Sequence, residues 1–89
     1  MLIIAGHLTV HASDRDRYVV DSAEAVAAAR DAEGCRDFAV SADAVEPDRV
    51  NVFELWDSRE LLDAFRGTGP DDGMRARILN AHIADYDVS

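Results

Sequence analysis

The segment Arg49–Trp56 carries apolar side chains at both odd and even positions. In a strand, successive side chains point to opposite faces. Val50, Val52 and Trp56 would therefore line one face, and Phe53 and Leu55 the other. A strand with two apolar faces needs cover on both sides, which is the pattern of a strand inside a sheet. Leu2 to His11 has the same character: Leu2, Ile4, Leu8 and Val10 alternate with Ile3, Ala5, His7 and Thr9. Arg36 to Glu46 differs. There Phe38, Val40, Ala42 and Ala44 alternate with Asp37, Ser41 and Asp43, so one face is polar and the strand belongs nearer an edge.

Helical patterns separate these strands. Ser13-Asp14-Arg15-Asp16 resembles a capping box, and Tyr18, Ser22, Ala25, Val26 and Ala29 fall on one helical face. The helix is expected to run from Ser13 to Glu33, with Gly34 just past its end. Glu46-Pro47-Asp48 reads as the turn of a hairpin. Asp57 or Ser58 caps the next helix, whose apolar stripe is Leu61, Leu62 and Phe65 and which Gly67 ends. Thr68 to Gly73 reads as a loop, and Pro70 as the start of a short helix carrying Met74, Ile78 and Leu79. Asn80 would break that helix before a last strand from His82 to Val88.

Strand, helix, strand, hairpin, strand, helix, strand is the ferredoxin-like β-α-β-β-α-β order, an α+β fold with its helices on one face of an antiparallel sheet. The first and third strands are its expected central pair. Length allows one domain, 1–89. Both central strands are apolar on both faces, yet the helices can cover only one. A second copy laid on the open face is the simplest cover, so a homodimer is expected.

Charge narrows the partners. The chain has 18 acidic and 9 basic residues, a net charge of −9. Nucleic acid and anionic membranes both require a basic footprint, so neither is expected as a partner. No apolar run reaches the roughly 20 residues of a membrane span. The apolar start has no positive region before it and reads as a strand rather than a signal peptide. The one cysteine, Cys35, cannot form an intrachain disulfide, which favours a reducing compartment such as the cytoplasm. It reads as packing rather than as a nucleophile.

Three stretches carry a resemblance: Ala5-Gly6-His7-Leu8-Thr9-Val10, Glu33-Gly34-Cys35-Arg36-Asp37-Phe38, and Phe53-Glu54-Leu55-Trp56-Asp57-Ser58 with the helix after it. In these the chain resembles the antibiotic biosynthesis monooxygenase family of dimeric α/β barrels. That resemblance implies oxidation of quinols, phenols or polyketide aromatics by molecular oxygen without a cofactor. It leaves a non-catalytic barrel that binds a small hydrophobic ligand as the second reading, and a haem-binding or haem-degrading relative as the third. Where the polyketide oxygenases carry an Asn four residues before the Trp, this chain has Val52, and Asn51 falls on the opposite face. Where quinol-oxidising relatives carry His on and after the following helix, the nearest residues are Phe65 and Pro70.

The candidate catalytic residues are His7, Asn51, Trp56 and His82, with Tyr18, Phe53, Phe65, Arg66 and Tyr86 as candidate walls of an aromatic pocket. A histidine buried neutral could exchange a proton near neutral pH, but an interface role suits His7 and His82 as well. Trp56 could stack a flat ring or simply fill the core. Phe65 and Arg66 are adjacent on one helical turn and are expected to point to different places. Glu54, polar within a buried strand, needs a partner, and an Arg salt bridge is expected. The three His share no metal-ligand spacing, so no metal is expected, and the resemblance implies that no other cofactor is bound. Gly67-Thr68-Gly69-Pro70 lacks the Lys and the spacing of a phosphate loop.

Overall fold

The computed structural model describes residues 1–67 and 72–89. Its elements are β1 (Leu2–Val10), α1 (Arg15–Asp21), α2 (Ala23–Asp31), β2 (Cys35–Ala42), β3 (Arg49–Trp56), α3 (Arg59–Arg66), α4 (Asp72–Ala76) and β4 (Ile78–Asp87). The strands form one sheet in the order β2-β3-β1-β4, with every neighbouring pair antiparallel. The helices lie on one face. This is the ferredoxin-like arrangement expected from the sequence, with β1 and β3 central and β2 at an edge.

Register sorts the side chains cleanly. Leu2 pairs with Trp56, Ile4 with Glu54, Gly6 with Val52 and Leu8 with Val50, and all of these face the helices. Two apolar clusters form on that side. One joins Leu2, Ile4, Trp56 and Leu62, with Phe38, Leu61 and Phe65 packed against it. The other joins Leu8, Val10, Tyr18 and Val50, with Val40, Val52, Met74 and Ile78 around it. Trp56, Val10, Val50 and Leu62 are fully buried. At about 25 cal/mol per Å² of apolar surface, burial of side chains this size supplies most of what stabilises the fold.

The expected single helix from Ser13 to Glu33 is two helices meeting at Ser22. The Ser22 hydroxyl donates to the Val19 carbonyl at 2.7 Å, a local bond that competes with the regular ladder and bends the chain. The capping box does not form. Asp14 is the residue before the helix, and its carboxylate accepts two hydrogen bonds from Arg77 at 2.8 Å instead of capping. Arg15 is drawn off to the β2–β3 turn, donating to the carbonyls of Glu46 and Arg49 at 2.9 and 3.1 Å. Ser58 does cap α3, accepting from the Leu61 amide at 3.3 Å. Gly34 adopts φ +84, and a Cβ there would lie 2.3 Å from the Leu61 side chain. The helix-to-strand turn therefore needs glycine both for its conformation and for its closeness to α3.

The last third departs most from expectation. The short helix ends at Ala76, and Ile78 and Leu79 belong to β4. Nine of the ten residues of β4 pair along β1, with Leu79 skipped at an irregularity, so the gain in ladder hydrogen bonds outweighs the helical spacing of Met74, Ile78 and Leu79. The expected helix start at Pro70 and most of the expected Thr68 to Gly73 loop lie outside the described residues.

Candidate active site

Between the two apolar clusters and beneath the helices lies a cavity of about 580 Å³. The sheet gives it Leu8, Phe38, Val40, Val52, Glu54, Ile78 and Ile83. The helices give it Tyr18, Ser22, Val26, Phe65, Arg66, Met74 and Arg75. Most of this lining is apolar or aromatic, and the volume suits a small organic molecule of a few fused rings. A shallower hollow of about 210 Å³ beside Ala32, Glu33, Leu61, Ala64 and Phe65 offers one exposed carboxylate and little else.

Among the described residues Glu54 is the one carboxyl lining the main cavity, and it is only 7% exposed. Its position follows from strand period: it shares a face with Val50, Val52 and Trp56 and so points at the helices. The expected Arg salt bridge is not what satisfies it. The Trp56 indole Nε1–H donates to Glu54 Oε1 at 3.0 Å. Burial pushes the Glu54 carboxyl above its ordinary range, against the indole hydrogen bond and the more distant charge of Arg66, and Asp85 adds to the upward push.

Trp56 lies below the cavity rather than in its wall. It is fully buried, and its ring centroid is 5.5 Å from that of Phe65. Phe65 in turn meets Phe38 edge-on at 6.5 Å. Such contacts add roughly 0.5–1.5 kcal/mol each beyond area burial and fix the aromatic wall in place. Tyr18 is buried beside the cavity, with the Arg77 guanidinium 5.2 Å from its ring centroid. Arg77 also reaches Asp21 at 2.9 Å, so α1 is clasped to the start of β4 by one side chain. Burial raises the Tyr18 hydroxyl above its usual range, with Arg77 opposing.

The sequence-derived candidates divide between the two faces. Tyr18, Phe65 and Arg66 line the cavity, and Phe65 and Arg66 do so together, contrary to the expectation from their adjacency. At the end of α3 the two are a helical step apart around a wide cavity, so one forms its wall and the other its rim. His7, Asn51, Phe53, His82 and Tyr86 lie on the open face. His7 and His82 are cross-strand neighbours with ring centroids 5.1 Å apart. Asn51 accepts from Arg49 at 2.7 Å and donates to Asp43 at 3.0 Å. Val52, where the resemblance implies Asn, does face the cavity.

Three residues of this region were not among the sequence candidates. Glu54 was legible in the strand alternation. Phe38 was legible as the apolar side of β2. Arg77 was not, since its partners Asp14 and Asp21 are far away along the chain. Among the described residues no three His, Cys, Asp or Glu side chains converge as a metal site. No described helix is long and apolar enough to cross a membrane. Cys35 is half-buried with its thiol on the Asp37 carbonyl at 3.5 Å, and burial pushes the thiol up, which makes it a poor nucleophile.

No curated protein matches the chain. Solved structures do. One from Chloroflexus aurantiacus, provisionally named an antibiotic biosynthesis monooxygenase, has 22% identity and a TM-score of 0.81, covering 99% of this chain and 92% of that one. A protein from Nitrosomonas europaea with a similar provisional name has 14% identity and a TM-score of 0.88, covering 99% and 98%. A third, from Deinococcus radiodurans, has 22% identity and a TM-score of 0.73, covering 100% and 93%. At such identities these likenesses establish the fold. The description of the antibiotic biosynthesis monooxygenase family matches residues 1–76, which span every element from β1 to α4, and the chain belongs to that family.

Proposed function

We propose that the protein is a cofactor-independent monooxygenase acting on a flat phenolic or quinol-type aromatic. The observation that carries this reading is the cavity beneath the helices, about 580 Å³, walled by Tyr18, Phe38 and Phe65 and holding one buried carboxyl. Chemistry of this kind asks the protein to hold an electron-rich ring, exclude water and stabilise its deprotonated form. The aromatic wall does the first. Arg66 at the rim supplies positive charge for an anionic ring oxygen.

The reaction balances without a reductant. In an anthrone-type substrate the ring methylene becomes a carbonyl. One oxygen atom enters the product, the other leaves as water with the two methylene hydrogens, and all four electrons come from the substrate.

The second face supports a homodimer. Ile3, Ala5, Ala39, Phe53, Leu55 and Tyr86 form its apolar half, with Phe53 36% and Tyr86 55% exposed. His7, Asn51 and His82 form its polar half. On this reading the two histidines serve the contact between copies. Sedimentation at micromolar concentration should give a dimer.

Oxygen uptake with a panel of quinols and anthrones tests the activity. Uptake that falls on Phe65→Ala is the expected result, and no uptake on any of the panel would remove this substrate class. One observation favours the ligand-binding reading instead: among the described residues, no histidine lines the cavity. Tight binding of aromatics with no oxygen uptake would establish it. A haemin titration showing a shifted Soret band would favour the haem-binding alternative.

A further inference from the structure

We propose that Glu54 is the proton acceptor of this cavity, so that the ligand class is an aromatic bearing a hydroxyl whose O–H is aimed at the free oxygen of the Glu54 carboxylate. The inference rests on the cavity being the binding site, and it assigns a role to a residue that the activity alone does not specify.

The geometry is asymmetric in a useful way. One carboxylate oxygen, Oε1, is held by the Trp56 indole at 3.0 Å. Among the described residues no hydrogen bond reaches the other, and it is not sealed in the core, since no buried side-chain oxygen among them lacks a partner. Glu54 lines the cavity. The second oxygen therefore meets whatever occupies that space. That oxygen is open to the cavity, and a ligand that closed over it without offering a donor would leave a buried acceptor unpaired, at a cost of about 1–3 kcal/mol. A hydroxyl on the ligand supplies the missing donor.

The indole bond also fixes the carboxyl's orientation. Trp56 is clamped by Leu2, Ile4 and Leu62, so Glu54 Oε1 cannot swing away. A base held still in the wall of a largely apolar cavity is arranged for general base catalysis. The proton step is simple. The O–H bond of the ligand breaks, an O–H bond forms on Glu54, no electrons change hands, and the resulting ring oxyanion is left near Arg66. The raised affinity of Glu54 for protons favours this direction.

The charged and titratable groups around Glu54 are few. Arg66 comes from α3, Arg75 from α4 and Tyr18 from α1. Asp85 faces it across β1, since both register with Ile4, and is held by Arg59 at 3.0 Å. Cys35 on β2 feels its charge. Ser22, where α1 meets α2, faces the cavity, and from α2 itself only apolar side chains do.

The test uses 2-naphthol, a flat phenol that becomes a strong acid in its excited state. With protein in excess and excitation beyond the indole absorption, bound naphthol emits as naphtholate only if an acceptor takes its proton. Wild type should show the naphtholate band, and Glu54→Gln, which keeps the bond from Trp56, should lower it at least about tenfold. 2-Methoxynaphthalene, with no proton to give, should compete for the site equally well in both proteins. In wild type alone the band should fade as pH falls through the titration of Glu54, a readout that needs no variant. A naphtholate band unchanged in Glu54→Gln, a pH-independent band in wild type, or failure of 2-naphthol to bind would each overturn the proposal. Naphtholate emission without oxygen uptake on any substrate would leave Glu54 as the acceptor and remove the oxygenase reading alone.

Discussion

Val52 and Phe53 are neighbours on β3 and live in different surroundings. Val52 faces the helices and the cavity, and Phe53 faces the uncovered side of the sheet. The same division runs through every strand. The helix side holds a single buried carboxyl in apolar and aromatic surroundings. The open side holds two imidazoles, an amide and an Arg–Asp pair at one end, and a row of exposed apolar side chains at the other. Residue types that look most chemical in a sequence, the histidines, have collected where there is no enclosed space. The buried titratable group beside the cavity is the glutamate.

A direct way to break this comparison is to place the same charge on each face. Val50→Asp puts a carboxylate where the side chain is fully buried, and should cost about 4 kcal/mol or more, enough to unfold much of the population. Phe53→Asp should leave the unfolding free energy in urea within roughly 1 kcal/mol of wild type and abolish the proposed dimer in sedimentation. Equal destabilisation by the two would mean that the faces are not distinct. Gly6→Ala comes next. Gly6 has φ +153, and a Cβ would sit 2.0 Å from the His82 carbonyl oxygen, so β1 and β4 could not stay paired at that point. A loss on the order of 3 kcal/mol in chemical denaturation is expected, with Ile83 leaving the cavity wall and His82 leaving His7.

Smaller effects separate the faces by pH. The Glu54 carboxyl is raised by burial, so the folded state keeps its proton to higher pH than the unfolded chain does. Its share of stability is complete below the ordinary value of 4.5 and is lost as pH rises through the folded value. Glu54→Gln should therefore gain on wild type as pH rises above that window and match it at the acid end, measured as thermal midpoints in matched buffers. Asp43, beside Asn51 on the open face, behaves oppositely. Amide hydrogen bonds from Glu46 and the Asn51 side chain hold its carboxyl down at about 2. Its stabilisation is present above the ordinary 3.8 and disappears as pH falls toward about 2. Asp43→Asn should flatten that acid limb by losing stability at neutral pH while matching wild type at the acid end.

The sheet was largely legible in the sequence because strand period is a local signal. Two-sided apolar runs identified β1 and β3 as central, and the polar alternation of β2 identified an edge. The break at Ser22 was not legible, because the residue also fits the buried face of one continuous helix. The capping box at Ser13 failed through a contact that no local window contains, the fork from Arg77 to Asp14. β4 began early because Met74, Ile78 and Leu79 also fit a helical spacing, and only pairing with β1 decides between them. In the site, Tyr18, Phe65 and Arg66, chosen for their aromatic or cationic character, line the cavity. His7, Asn51 and His82 were selected for reactivity, which carries no information about enclosure. Glu54 was assigned an Arg because charge is the obvious answer to a buried carboxylate, whereas the strand period places an indole N–H two residues away on the same face.

That indole belongs to the one tryptophan of the chain. Because Trp56 is sealed from water, touches Phe65 in the cavity wall and shares a proton with Glu54, its emission is a built-in optical probe of the cavity. A carboxyl that gains a proton quenches a hydrogen-bonded indole differently from a carboxylate, and a ring entering above Phe65 changes the indole's surroundings. Occupancy and protonation of this protein can thus be followed by light from an unlabelled chain, with no second fluorophore of the same kind to obscure the signal.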